Sequence, residues 1–140
     1  MILYLDTSSL VKLLIEEDGS AAVRALVART DSIASSLVAY PETRSVLARG
    51  ARARRFSAAG LAAARREFET YWGTADVIRL DETMAREAGG LADRHGLKAL
   101  DAIHLASAIA LQRETREEVS FTAWDNALLS AARGEGLAVV

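Results

Sequence analysis

Cysteine is absent from all 140 residues, which excludes disulfide bonds and thiolate metal sites, zinc through sulfur among them, and suits a reducing cytoplasm. Positive charge is not in excess. With 17 Lys and Arg against 19 Asp and Glu the net charge is -2, so nucleic-acid binding has to come from a local patch or a bound metal. A general DNA-coating role is not expected. No uncharged run approaches the roughly 20 residues of a spanning helix, and the opening Met1-Ile2-Leu3-Tyr4-Leu5-Asp6 has neither the basic region nor the cleavage site of a secretory signal. The expectation is a cytoplasmic protein with no membrane partner. No internal repeat, low-complexity tract or long linker divides the chain, and residues 1–140 are expected to form a single domain.

Hydrophobic residues make up 51% and charged residues 26% of the chain, the balance of a globular domain able to bury a real core. The run from Leu100 to Leu111 is the most telling stretch. Its helix formers and nearly continuous apolar character predict a helix buried on most sides, with Asp101 alone in the first turn. Upstream, Ile2 to Leu5 reads as a strand that ends in the capping cluster Asp6-Thr7-Ser8-Ser9, followed by a helix from about Ser9 to Glu16. Asp18-Gly19-Ser20 breaks it before a second helix through Val23 and Leu26, making a helical hairpin. Ser32 to Ser36 reads as a short second strand. Pro41, the only proline, is tolerated in a first helical turn, so a helix is expected to begin near Tyr40 with Glu42 in that turn, and to run on into Arg49-Gly50-Ala51-Arg52-Ala53-Arg54-Arg55. Ser57 then caps a helix through Leu61, Ala64, Phe68 and Tyr71. Ala75 to Leu80 reads as a strand, Asp81 caps a helix ended by Gly96, Val119 to Trp124 alternates as a strand before Asp125, and Leu137 to Val140 closes the chain as a last strand. Strands alternating with helices imply an α/β three-layer sandwich with a mainly parallel central sheet flanked by helices.

Asp6 and Asp125 each follow a predicted strand, and in open α/β sheets the ligand crevice lies outside the carboxyl ends of the strands. Glu42 and Asp101, each in a first helical turn beside the core, can reach the same edge. Four carboxylates meeting there would raise one another's pKa unless a cation compensated. An all-oxygen donor set suits Mg²⁺ or Mn²⁺, and such an ion supports in-line hydrolysis of a phosphodiester. Each acid alone reads equally well as a helix cap. His104, one turn after Asp101, reads as a core-edge histidine rather than a ligand. Thr7 and Ser8 read either as caps or as groups orienting an acid or a water. Arg49, Arg52, Arg54 and Arg55 form the densest positive charge on the chain, either a phosphate-contacting patch or a solvated helix end.

At these residues the sequence resembles the PIN-domain nucleases, and within them the VapC-like toxins of VapBC toxin–antitoxin modules. The resemblance is carried by Leu3-Tyr4-Leu5-Asp6-Thr7-Ser8-Ser9-Leu10-Val11-Lys12, by Tyr40-Pro41-Glu42, by Leu100-Asp101-Ala102-Ile103-His104-Leu105-Ala106, and by Phe121 to Leu128 around Asp125. It implies a parallel sheet flanked by helices, an Mg²⁺- or Mn²⁺-dependent endoribonuclease, a homodimer, and a cognate antitoxin whose tail occupies the active site. It also implies that Asp6 and Asp101 are the principal metal-binding acids, Glu42 the second acid, Asp125 a fourth and more variable one, and Ser8 a hydroxyl near the metal. The chain departs from the family where Thr or Ser often stands two residues before the fourth acid; Ala123 occupies that position. Two other readings stand beside it. One is a phosphoryl-transfer domain with an aspartate nucleophile at a strand end, which would want a second acid where Ser8 or its neighbours stand. The other is a non-catalytic module that binds RNA or protein with the same fold.

Overall fold

In the computed structural model, which describes all residues 1–140, five strands pair in parallel in the order β3-β2-β1-β4-β5. The strands are β1 (Ile2–Leu5), β2 (Ser32–Ser36), β3 (Asp76–Ile78), β4 (Val119–Thr122) and β5 (Ala138–Val139). The seven helices are α1 (Thr7–Leu14), α2 (Ser20–Val27), α3 (Ala39–Arg52), α4 (Ala58–Thr74), α5 (Glu82–His95), α6 (Ala99–Thr115) and α7 (Asn126–Gly134). Strand β1 lies at the centre, with Leu3 beside Ile33 of β2 and Ser120 of β4. From β1 the chain first builds outward through β2 and β3, then returns to build the other side through β4 and β5. The order therefore reverses at β1, and the crevice that such a reversal opens faces the loops after β1 and β4. Asp6 and Asp125 stand in those loops.

Period-two alternation sorts the strand side chains into two cores. Tyr4, Ala34, Val119 and Phe121 pack with Met84, Leu91, Leu105 and Leu128 from α5, α6 and α7. Leu3, Leu5 and Ile33 pack on the opposite face with Leu10, Leu13, Val23, Ala39 and Phe68 from the first four helices. All four residues of β1 and of β4 are buried, because helices cover both faces of a parallel sheet. The expected three-layer sandwich is what forms. Helix α6 lies in the larger core with Ala102, Leu105, Ala106 and Ala108 fully enclosed, and the run of alanines lets it approach its neighbours closely. Truncating Leu105 there would cost about 2–5 kcal/mol.

Two local features depart from the sequence reading. Helix α1 begins at Thr7, two residues early, because Asp6 is itself the cap: its side chain accepts the amide of Ser9 at 2.9 Å. Helix α3 stops at Arg52, so the arginine run is not one helical face. Arg54 takes a left-handed backbone (φ 58°), and the amide of Arg55 returns to the carbonyl of Gly50 at 3.0 Å. That turn folds the Phe56 ring onto Gly50, where a Cβ would lie 2.6 Å from the ring. No helix is long and apolar enough to cross a membrane.

Candidate active site

A cleft of about 350 Å³ opens at the carboxyl edge of β1, lined by Asp6, Thr7, Ser8, Val11, Glu17, Glu42, Val46, Asp101 and His104. Three of the four expected acids line it. Asp6 is delivered by the end of β1 and is only 6% exposed. Its Oδ1 accepts from the Ser9 amide at 2.9 Å and from Ser8 Oγ at 2.8 Å, and the same hydroxyl lies 2.9 Å from Oδ2. Burial pushes its pKa up, and the Ser9 amide, His104 and Ser8 pull against that. Asp6 is therefore both cap and cleft residue, so the two readings of it are not alternatives.

Asp101 differs. Lys98 precedes α6 as its cap residue without a side-chain bond, and Asp101 forms no hydrogen bond that would make it a cap. It is half-buried, and its pKa is raised first by that burial, then by the charges of Asp125, Asp6 and Glu42. A carboxylate held in that position gains about 0.3–1 kcal/mol from the helix dipole, is favoured also by His104, and is opposed by burial and the neighbouring acids.

Glu42, in the first turn of α3, is fixed by hydrogen bonds that the sequence did not reveal. Thr7 Oγ1 donates to its Oε1 at 2.7 Å, and His104 Nε2 reaches the same oxygen at 3.0 Å and the Thr7 oxygen at 3.1 Å. A carboxylate only accepts, so Nε2 carries the proton. In the neutral ring Nδ1 is then the acceptor for the Tyr4 hydroxyl, 2.9 Å away. Burial raises the Tyr4 pKa well above the ordinary phenol value, which keeps that hydroxyl protonated. For Glu42 the cost of partial burial is outweighed by the bonds from His104 and Thr7, and its pKa is lowered. Both bonds fall on Oε1, leaving Oε2 without a protein partner.

His104 is 2% exposed, as the core-edge reading expects, yet it also lines the cleft and holds Glu42. The available signal was its position three residues after Asp101, which puts both on one helix face. Asp125 does not line the cleft. It caps α7, accepting the Leu128 amide at 2.9 Å, and is exposed to solvent; it acts on Asp101 through charge. Thr122 points away to a buried bond of 2.6 Å with Ser9. Of the four arginines, Arg49 and Arg55 line a groove with Val46, Gly50 and Ala53, while Arg52 and Arg54 are exposed and outside it. A second groove holding Glu42, Val46, Arg49 and Leu100 joins that one to the cleft, so two arginines lie along a path leading from the acids.

No three carboxylate or imidazole groups close a ready-made metal cage. The donor set nevertheless fits a hard cation that is held by one or two carboxylates and keeps most of its waters, as Mg²⁺ does. The unpartnered Asp101 carboxylate, held above its ordinary pKa by burial and then by like charges, is the observation that favours a cation there.

The PIN domain family matches residues 3–118, and the chain belongs to that family. The match ends just before β4, so Asp125 lies beyond it. Over 138 residues the chain is 38% identical to Ribonuclease VapC49 of Mycobacterium tuberculosis (strain ATCC 25618 / H37Rv), spanning 99% of this chain and 94% of that protein. Among solved structures it is similar to PAE2754 from Pyrobaculum aerophilum, with a TM-score of 0.65 and 21% identity over 99% of this chain and 81% of that one. VapBC2 from Rickettsia felis, solved with a DNA fragment from its promoter, gives a TM-score of 0.65 at 16% identity, covering 100% and 98%. These two likenesses concern the fold.

Proposed function

We propose that this protein is an endoribonuclease of the VapC type, the toxin of a toxin–antitoxin pair, and that it hydrolyses RNA phosphodiesters with Mg²⁺ or Mn²⁺. The observation that carries the reading is the near full-length similarity to a ribonuclease, supported by Asp6, Glu42 and Asp101 lining one cleft at the β1 edge. On this reading Asp6 and Asp101 provide the main oxygens for the ion. A divalent cation bound there would supply charge for the phosphoryl oxygen and lower the pKa of a water. Glu42, anchored through Oε1, leaves Oε2 free and would use it to orient an attacking water and accept its proton. Ser8 and the Ser9 amide hold Asp6 in one rotamer. Asp125 adds negative charge near Asp101 without lining the cleft. Arg49 and Arg55 contact the RNA backbone along the groove. The protein acts in the cytoplasm as one domain, pairs as a homodimer and is held inactive by its antitoxin.

The test is cleavage of RNA by protein freed of antitoxin, with Mg²⁺ or Mn²⁺ and then with chelator. Attack by water leaves 5′-phosphate and 3′-hydroxyl ends. Cleavage undiminished in chelator, or 2′,3′-cyclic phosphate ends, would overturn the mechanism.

A further inference from the structure

Trp124 is 49% exposed, although it sits between the buried Ala123 and the α7 cap Asp125 at the edge where the acids gather. Its placement is not loose. The outer edge of its six-membered ring lies against Gly19, whose missing Cβ would fall 2.5 Å from Cη2, 2.7 Å from Cζ2 and 3.0 Å from Cζ3. Gly19 has φ +91°, a conformation that glycine adopts without strain. The ammonium of Lys12 stands over the ring at 4.7 Å from the centroid and is tied at 3.0 Å to Glu17, which lines the cleft. The indole is thus gripped at one edge and on one face, and is linked through Lys12 and Glu17 to the rim of the cleft.

The geometry points to Trp124 as a stacking platform for an unpaired nucleobase of the RNA that enters the cleft, a role that rests on the proposed ribonuclease reading. Bases stack on exposed aromatic rings whatever their sequence, because each has a π face, and single-stranded RNA is the form whose bases are free to do so. A ring already fixed in place loses little freedom on binding. Lys12, itself paired with Glu17, covers one face of the ring, and with the residue 49% exposed the base stacks on the other.

The test uses protein in which Asp101→Asn prevents cleavage and Trp72→Phe leaves Trp124 as the sole tryptophan. A short unpaired oligoribonucleotide is titrated against its fluorescence, beside an otherwise identical oligonucleotide with abasic sites. The expected result is quenching by the first and not by the second. Affinities of the variants are read instead by filter binding of end-labelled strands in the Asp101→Asn background: Trp124→Ala should weaken binding of the base-bearing strand about tenfold and leave the abasic strand unchanged, while Trp124→Phe, which can still stack, keeps most of the affinity. Melting curves of both variants confirm that they are folded. Equal loss for both strands, or no loss for either, would overturn the proposal. So would variants that bind RNA normally but no longer bind the antitoxin. If wild-type protein fails to cleave RNA with any divalent ion, the ribonuclease reading falls instead, and that result is separate from the stacking measurement.

Discussion

Replacing Asp101 by Asn separates a metal ligand from an ordinary helix-start acid, because it removes charge while nearly keeping shape. In the first turn of α6 the charge gains about 0.3–1 kcal/mol from the helix dipole. Against that stand the burial of the group and the charges of Asp125, Asp6 and Glu42, and no hydrogen bond is lost with the charge. In chelator the variant should therefore melt at the wild-type temperature or slightly above it, by no more than about 2–4 °C, the shift that ~1 kcal/mol gives in a domain of this size. With Mg²⁺ at about a hundred times its dissociation constant, wild-type protein gains roughly 2.7 kcal/mol. The variant should lose most of that gain and at least about a hundredfold in cleavage. The assay is a pair of melting curves, with and without Mg²⁺, beside RNA cleavage. A variant that keeps both its Mg²⁺ shift and its cleavage would refute the placement of the ion at Asp101. One that is strongly destabilised in chelator would refute the account of repulsion.

Tyr4→Phe leaves the buried Nδ1 of His104 without its donor, a cost of about 1–3 kcal/mol visible as a lower melting temperature; cleavage should fall as well, since the ring that holds Glu42 is freer to turn. A variant that melts like wild type would show that the bond contributes nothing. Neutralising Arg49 and Arg55 to Gln should reduce the salt dependence of RNA binding by about one to two phosphate contacts, whereas Arg52 and Arg54, outside the groove, should matter less; equal effects from both pairs would return the run to a solvated surface. The pH dependence follows from the raised pKa values of Asp6 and Asp101. The folded protein holds protons there more tightly than the unfolded chain, so the penalty of their charge is full at neutral pH and disappears as pH falls through the raised values. Glu42 has the opposite sign: its contribution is intact above the ordinary glutamate range and is lost only as pH falls through its lowered value. The stability difference between Asp101→Asn and wild type in chelator should accordingly shrink from neutral pH toward the ordinary carboxylate range, and a constant difference would contradict it.

The order of elements was legible in the sequence because each is marked by local physics. Asp6, Ser57, Asp81 and Asp125 each stand where a helix cap is expected, and each accepts an amide from the first turn of its helix. Pro41 located the start of α3, and the apolar run after Asp101 identified the buried helix. Asp6, Glu42 and Asp101 are likewise readable as neighbours at one edge, since strand ends and first turns are where an α/β sheet gathers its ligands, whereas Glu17 in the same cleft carries no such mark. What packing alone decided is which groups share a site. Tyr4 and His104 stand 100 residues apart, and nothing local marks an apolar strand residue as the partner of a helix histidine; only the pairing of β1 beneath α6 joins them. The same holds for Thr7, whose hydroxyl was free to cap α1 but reaches Glu42 on α3. The strand end places Asp125 with the other acids, and in the folded chain it caps α7 while its charge raises the pKa of Asp101 ahead of the charges of Asp6 and Glu42. Arg49 and Arg55 separate from Arg52 and Arg54 because Phe56 folds onto Gly50 and ends α3. Sequence fixes such residues by propensity and period, which act over a turn or a strand; the meeting of distant side chains depends on sheet order and helix direction, which only the folded chain supplies.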